Sequence, residues 1–118
     1  AKDDIFAAEL QLNEFYKSFD LILSPVLSKI PAKLGWLDMN SDDKENYTER
    51  FRSYSGFTSI YTGTGQPSMS VPTIRTDNDL PVGVLLTGAW GSDSQLLQLA
   101  SELEKINPWP LYSNPAPL

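Results

Sequence analysis

Any chemistry in this sequence must be done without histidine or cysteine, because its 118 residues contain neither. That removes the usual general base, the commonest metal ligand and any thiolate nucleophile. Ser68 and Ser70 offer hydroxyls. An activated serine needs a base beside it, and no lysine stands at a useful spacing, so both read as strand residues. Gly63-x-Gly65 begins like a phosphate loop but lacks a third glycine and precedes a strand instead of following one, so it reads as a corner. Asp38, Asp42, Asp43 and Glu45 could gather a cation. They lack the fixed spacing of a calcium loop and read as a solvated helix start. Thr62 and Thr64 sit at the corner, where hydroxyls cap backbone. Trp36, Trp90 and Trp109 read as packing anchors. The expectation is a chain with no catalytic residue, no metal and no cofactor of its own.

The totals agree. The length suits one domain or a piece of a larger one. The net charge of −6, with nine scattered Lys and Arg, argues against a nucleic-acid partner. No apolar run reaches the roughly 20 residues of a membrane span, and a signal peptide ahead of the first helix is not expected. A soluble cytoplasmic protein is the default expectation.

The elements that must position these residues are organised around Phe57 to Gly88. Ahead of that stretch, Ile5, Ala8, Leu12, Phe15, Tyr16 and Phe19 recur at helical spacing and predict an amphipathic helix near 4–19. Leu21-Ile22-Leu23-Ser24 is a continuous apolar run, read as a strand buried on both faces. An irregular loop carries Trp36 and Leu37. Ser41 then caps a helix near 42–62, whose stripe is Tyr47, Phe51, Tyr54, Thr58 and Tyr61. Gly56 predicts a break near 53–56, giving two helices. Gly63 to Pro67 ends the second. Strands follow near 68–75, where Pro72 forces an edge or a bulge, and near 82–88, apolar on both faces. Asp77, Asn78 and Asp79 turn the chain between them. Ser92 and Gln95 form an S-x-x-Q capping box for a helix near 93–106. Residues 110–118 are a Pro-rich tail. Composition and spacing thus give an α/β domain and no more.

Several stretches resemble the C-terminal segment of amidase signature enzymes. Phe19-Asp20-Leu21-Ile22-Leu23-Ser24-Pro25 is similar to the family's (Y/F)D-x-L-L-(T/S)-P. Phe57-Thr58 through Thr64-Gly65-Gln66-Pro67-Ser68-Met69-Ser70-Val71-Pro72 is similar to F-T-x-x-x-N-x-T-G-x-P-A-x-S-V-P, with Thr62 where Asn is frequent. Leu80 to Gly88 is similar to L-P-x-G-x-Q-L-(V/I)-G, with Leu85 in place of Gln. Pro31 to Leu37 looks like the subgroup that includes 6-aminohexanoate-cyclic-dimer hydrolases. The resemblance implies that residues 1–118 are a single C-terminal portion of an amidase domain, contributing about three strands and flanking helices to a mixed sheet. It implies a parent that hydrolyses carboxylic amides, linear or cyclic amides of amino acids among them, with an upstream Ser–cis-Ser–Lys triad that this chain does not contain, its two serines on a Gly/Ser-rich segment and its lysine still earlier. Thr62, Thr64, Gly65 and Trp90 would line the rim of that parent's pocket for a small-molecule amide. A non-catalytic interaction module on the same fold piece is the alternative. Cut surfaces of such a sheet are expected to self-associate.

Overall fold

A computed structural model of the chain describes residues 2–77 and 80–109, so the tail expected at 110–118 and the turn residues Asn78 and Asp79 lie outside it. Its elements are α1 (Lys2–Phe15), β1 (Leu21–Pro25), α2 (Lys44–Tyr54), α3 (Ser59–Thr64), β2 (Ser68–Arg75), β3 (Pro81–Gly88) and α4 (Asp93–Ile106). The strands form one sheet in the order β1-β3-β2. Both pairings are antiparallel: Leu23 lies opposite Leu86 in one, and Met69 opposite Leu86 in the other. A mixed sheet would need strands beyond these three.

Successive strand side chains point to opposite faces, and cross-strand partners share a face. One face carries Met69, Val71, Val84 and Leu86, and α4 lies on it. Val71, Leu86 and Leu96 form the buried cluster there, with Leu99, Ala100, Leu103 and Trp109 packed around it. The other face carries Leu85, 5% exposed, and Thr87, fully buried. Tyr16 at the end of α1 reaches this face and donates from its hydroxyl to Thr87 O at 3.2 Å. α1 also lies along α3, with Ile5 3.7 Å from the point where a Cβ on Gly63 would stand.

The strand near 82–88 is buried on both faces toward its end, because it is the central strand. β1 is not. It lies at the edge, and Leu23 is 62% exposed. α1 buries none of its residues fully, and it stops at Phe15, four residues short of the predicted 19. The chain there tightens into a turn, with Lys17 N donating to Glu14 O and Ser18 N to Phe15 O. The expected helix near 42–62 is two helices, parted at residues 55–58. Pro72 marks a bulge in β2: the register shifts between Pro72 and Ile74. Thr76 and Leu80 close the β2–β3 turn, Thr76 N donating to Leu80 O and Leu80 N to Thr76 Oγ1.

Two caps differ from the sequence reading. Asp43, not Ser41, caps α2, accepting from Asn46 N at 3.0 Å, while Ser41 Oγ accepts from Asp43 N. The S-x-x-Q box does not close on α4. Ser92 Oγ donates backwards to Ala89 O at 2.6 Å and makes no cap bond. The preceding turn holds Gly91 at φ +80°, and its carbonyls compete for the serine proton.

Candidate functional site

The corner between α3 and β2 is where polar groups converge. α3 is short because Gly65 takes the left-handed conformation (φ +76°) that few other residues tolerate, closing the helix with its N–H on Tyr61 O at 2.8 Å. Pro67 then forbids continuation and the chain enters β2. Thr62 and Thr64 each turn their hydroxyl back one helical turn, Thr62 Oγ1 to Thr58 O at 3.3 Å and Thr64 Oγ1 to Ile60 O at 2.9 Å. Across the corner, Trp90 in the turn after β3 donates from Nε1 to Thr64 O at 3.0 Å. Its nitrogen stands 3.8 Å from the position of a Cβ on Gly65.

The four residues expected at a pocket rim therefore occupy one corner but face different ways. Thr62, Gly65 and Trp90 are exposed, while Thr64 is buried with its hydroxyl turned inward. Beside them lies a recess of about 230 Å³ lined by Thr58, Tyr61, Thr62, Gln66, Ser68 and Leu85. Two of the larger hollows, of about 410 and 490 Å³, run along Pro25–Pro31 and along Pro72–Arg75 with Asn107–Trp109. Their linings are mainly apolar, and they do not gather hydroxyl and amide groups as the recess does.

Sequence reasoning missed Gln66 and the role of Thr87. Gln66 is 6% exposed. Its Oε1 meets Thr64 Oγ1, and its Nε2 is buried without a partner among the described residues. Thr87 Oγ1 lies 3.0 Å from Ser68 Oγ, joining β2 to β3. A polar residue held between Gly65 and Pro67 was the available signal for Gln66, since a chain leaving a tight corner must pass close to the sheet.

The electrostatics are those of a neutral, half-enclosed place. Burial, with Tyr61 nearby as a lesser cause, pushes the Tyr16 hydroxyl up from its ordinary 10.0 to about 12. No activated nucleophile is formed at Ser68, whose hydroxyl is engaged with Thr87. Lys29 Nζ does donate to Ser53 Oγ at 3.2 Å, but both side chains are exposed and the serine proton goes to Arg50 O. Among the described residues no group of three or more acidic side chains is placed to hold a metal ion. None of their helices is long and apolar enough to cross a membrane. Trp36 is instead a clamp for the long loop, lying 5.6 Å from both Lys29 Nζ and Arg50 Cζ, with Arg50 donating to its carbonyl.

Comparison with known proteins gives this geometry a family. The Amidase family profile matches residues 4–97. A putative amidase, AmiC, of Mycobacterium leprae is 31% identical over 96 residues, 81% of this chain and 20% of that protein. The 6-aminohexanoate-cyclic-dimer hydrolase of Paenarthrobacter ureafaciens is also 31% identical over 96 residues, 77% of this chain and 20% of that one. A solved structure of 6-aminohexanoate cyclic dimer hydrolase superposes with a TM-score of 0.79 at 26% identity, covering 91% of this chain and 23% of the other. The chain thus spans about a fifth of the length of the curated relatives it matches, and over that fifth its sequence and its fold agree: it belongs to the Amidase family.

Proposed function

We propose that the chain is the C-terminal structural portion of an amide hydrolase, acting on carboxylic amides that include linear or cyclic amides of amino acids. Its serine–cis-serine–lysine machinery would belong to another part of a longer protein. The observation that carries this reading is the pairing of family membership over residues 4–97 with a span of one fifth of the relatives. The absence of an activated nucleophile among the described residues is consistent with it. In that role the sheet supplies β1, β3 and β2 to a larger mixed sheet, and the corner of Thr62, Thr64, Gly65 and Trp90 lies at the rim of the substrate pocket.

The test has two arms. Purified chain 1–118 should show no hydrolysis of 6-aminohexanoate cyclic dimer. A chimera of the Paenarthrobacter hydrolase, in which residues 4–97 of this chain replace the matching segment, should recover it. Turnover by the purified chain, or a folded but inactive chimera, would overturn the reading.

A further inference from the structure

The chain leaves the sheet after Pro25, the last paired residue of β1, and does not rejoin the other elements until α3. Among the described residues, every hydrogen bond and ring contact made by residues 27–55 stays inside that segment. α2 packs substantially on no strand and no other helix, and none of residues 26–58 is buried. The segment holds to itself instead. A helix of 11 residues alone is marginal in water, so α2 needs the loop ahead of it. Tyr54 supplies two ties: its carbonyl accepts from Ser28 N at 3.0 Å and its hydroxyl from Ala32 N at 3.1 Å. Lys29 donates to Ser53, and Arg50 to Trp36 O. The Trp36 ring lies 5.9 Å from that of Tyr54. At the root, the outgoing and returning chains meet. A Cβ on Gly56 would stand 2.5 Å from Ser28 Oγ, so glycine lets them approach this closely.

A segment tied to itself and not to its neighbours moves as one body, because few buried contacts resist its displacement. It also has room to move. The hollow of about 410 Å³ lies between its root, Pro25–Pro31, and Pro81, Val82 and Gly83 at the start of β3. Where the chain leaves β1, Val26 Cγ2 stands 3.7 Å from the position of a Cβ on Gly83, so the sheet is touched at the root. We propose that residues 26–55 form a rigid flap, hinged at Pro25–Val26 and at Gly56–Phe57, whose swing against the sheet opens and shuts this hollow. The swing needs nothing from the amide-hydrolase reading, since it follows from contacts within this chain alone.

The chain holds no cysteine, so introduced pairs carry spin labels without background. Lys33→Cys with Glu49→Cys spans the flap, Ser70→Cys with Gln98→Cys spans the body, and Glu49→Cys with Gln98→Cys joins the two; all four positions are exposed. Labelled chain 1–118 is diluted into an excess of unlabelled chain, so that double electron–electron resonance reads only distances within one molecule. The flap and body pairs should give narrow distance distributions. The joining pair should give one at least twice as broad, because it alone crosses the hinges. Tyr54→Phe keeps the ring and removes the bond from Ala32 N. It should broaden the flap pair at least 1.5-fold and leave the body pair unchanged. A joining pair as narrow as the other two would show the segment fixed to the sheet. A flap pair as broad as the joining pair would show that the segment is not one body. Either result, or an unchanged flap pair in Tyr54→Phe, would overturn the proposal.

Discussion

Tyr16 joins three parts of the molecule through one hydroxyl. It stands at the end of α1, donates to Thr87 O on the central strand, and faces Tyr61 of α3. Tyr16→Phe keeps the ring and removes the bond, which should lower stability by about 1 kcal/mol. The pH dependence has a definite sign. Folding raises the Tyr16 pKa from 10.0 to about 12, so between those values the folded chain holds a proton that the unfolded chain has released. The contribution is therefore complete below pH 10 and is lost as pH rises toward 12. Urea denaturation at pH 8 and pH 11 checks this: the gap between wild type and Tyr16→Phe should narrow at pH 11. An equal gap at both values would count against the assignment. Tyr16 was legible in the sequence only as one more apolar position on a helical stripe. Its bond to Thr87 crosses 71 positions of chain, and no local pattern carries that. Gln66 was hidden for a different reason, since side-chain burial at a corner depends on what packs over it. The hydroxyls of Thr62 and Thr64 were legible, because their partners lie one helical turn away.

Elements were legible where one local force decided them. Gly65 and Pro67 end α3 whatever surrounds them, Asn107 and Pro108 end α4, and Gly56 falls in the gap between α2 and α3. Cap identity was less legible, because Ser41 and Asp43 are both good caps and two residues apart. The structure gives the main bond to Asp43, whose carboxylate also sits favourably at the positive end of α2. Asp43→Ala should therefore cost about 1 kcal/mol, and Ser41→Ala, which loses only the bond from Asp43 N, a fraction of that. Thermal unfolding of the two variants distinguishes them; equal losses would mean that Ser41 and Asp43 share the cap. The double-sided burial expected of β1 failed at this scale too. Leu21 to Ser24 has the composition of an inner strand, yet here it is an edge, and a sequence does not say which neighbours are within reach.

At the scale of the whole molecule, that mismatch between composition and burial is general. A folded monomer of 13.1 kDa should expose roughly 6,400 Å². This chain exposes 9173 Å², about 2,800 Å² more, and that difference is as large as many obligate interfaces. Its radius of gyration is 17.0 Å against roughly 13.5 Å for a compact chain of this length, and its extents of 47 × 42 × 21 Å describe a plate. Leu23 at 62%, Phe19 at 57% and Ile74 at 68% exposure are spread along it. The β1 edge combines open backbone groups with apolar cover on either side. Leu23 projects on the α4 face, and Phe15 and Phe19, stacked 4.6 Å apart, lie just ahead of the strand. An antiparallel pairing of two β1 strands about Leu23 would place Leu23 against its own copy and hide both edges. Purified chain 1–118 should accordingly scatter light as a species of at least twice its mass at about 0.5 mM. Leu23→Lys, the substitution natural edge strands use to refuse partners, should move that mass toward the monomer with little loss of helix content. A wild-type chain that stays a monodisperse monomer at this concentration would show that the exposed apolar surface is tolerated by the isolated chain. A Leu23→Lys variant that still associates would move the contact to another face of the plate.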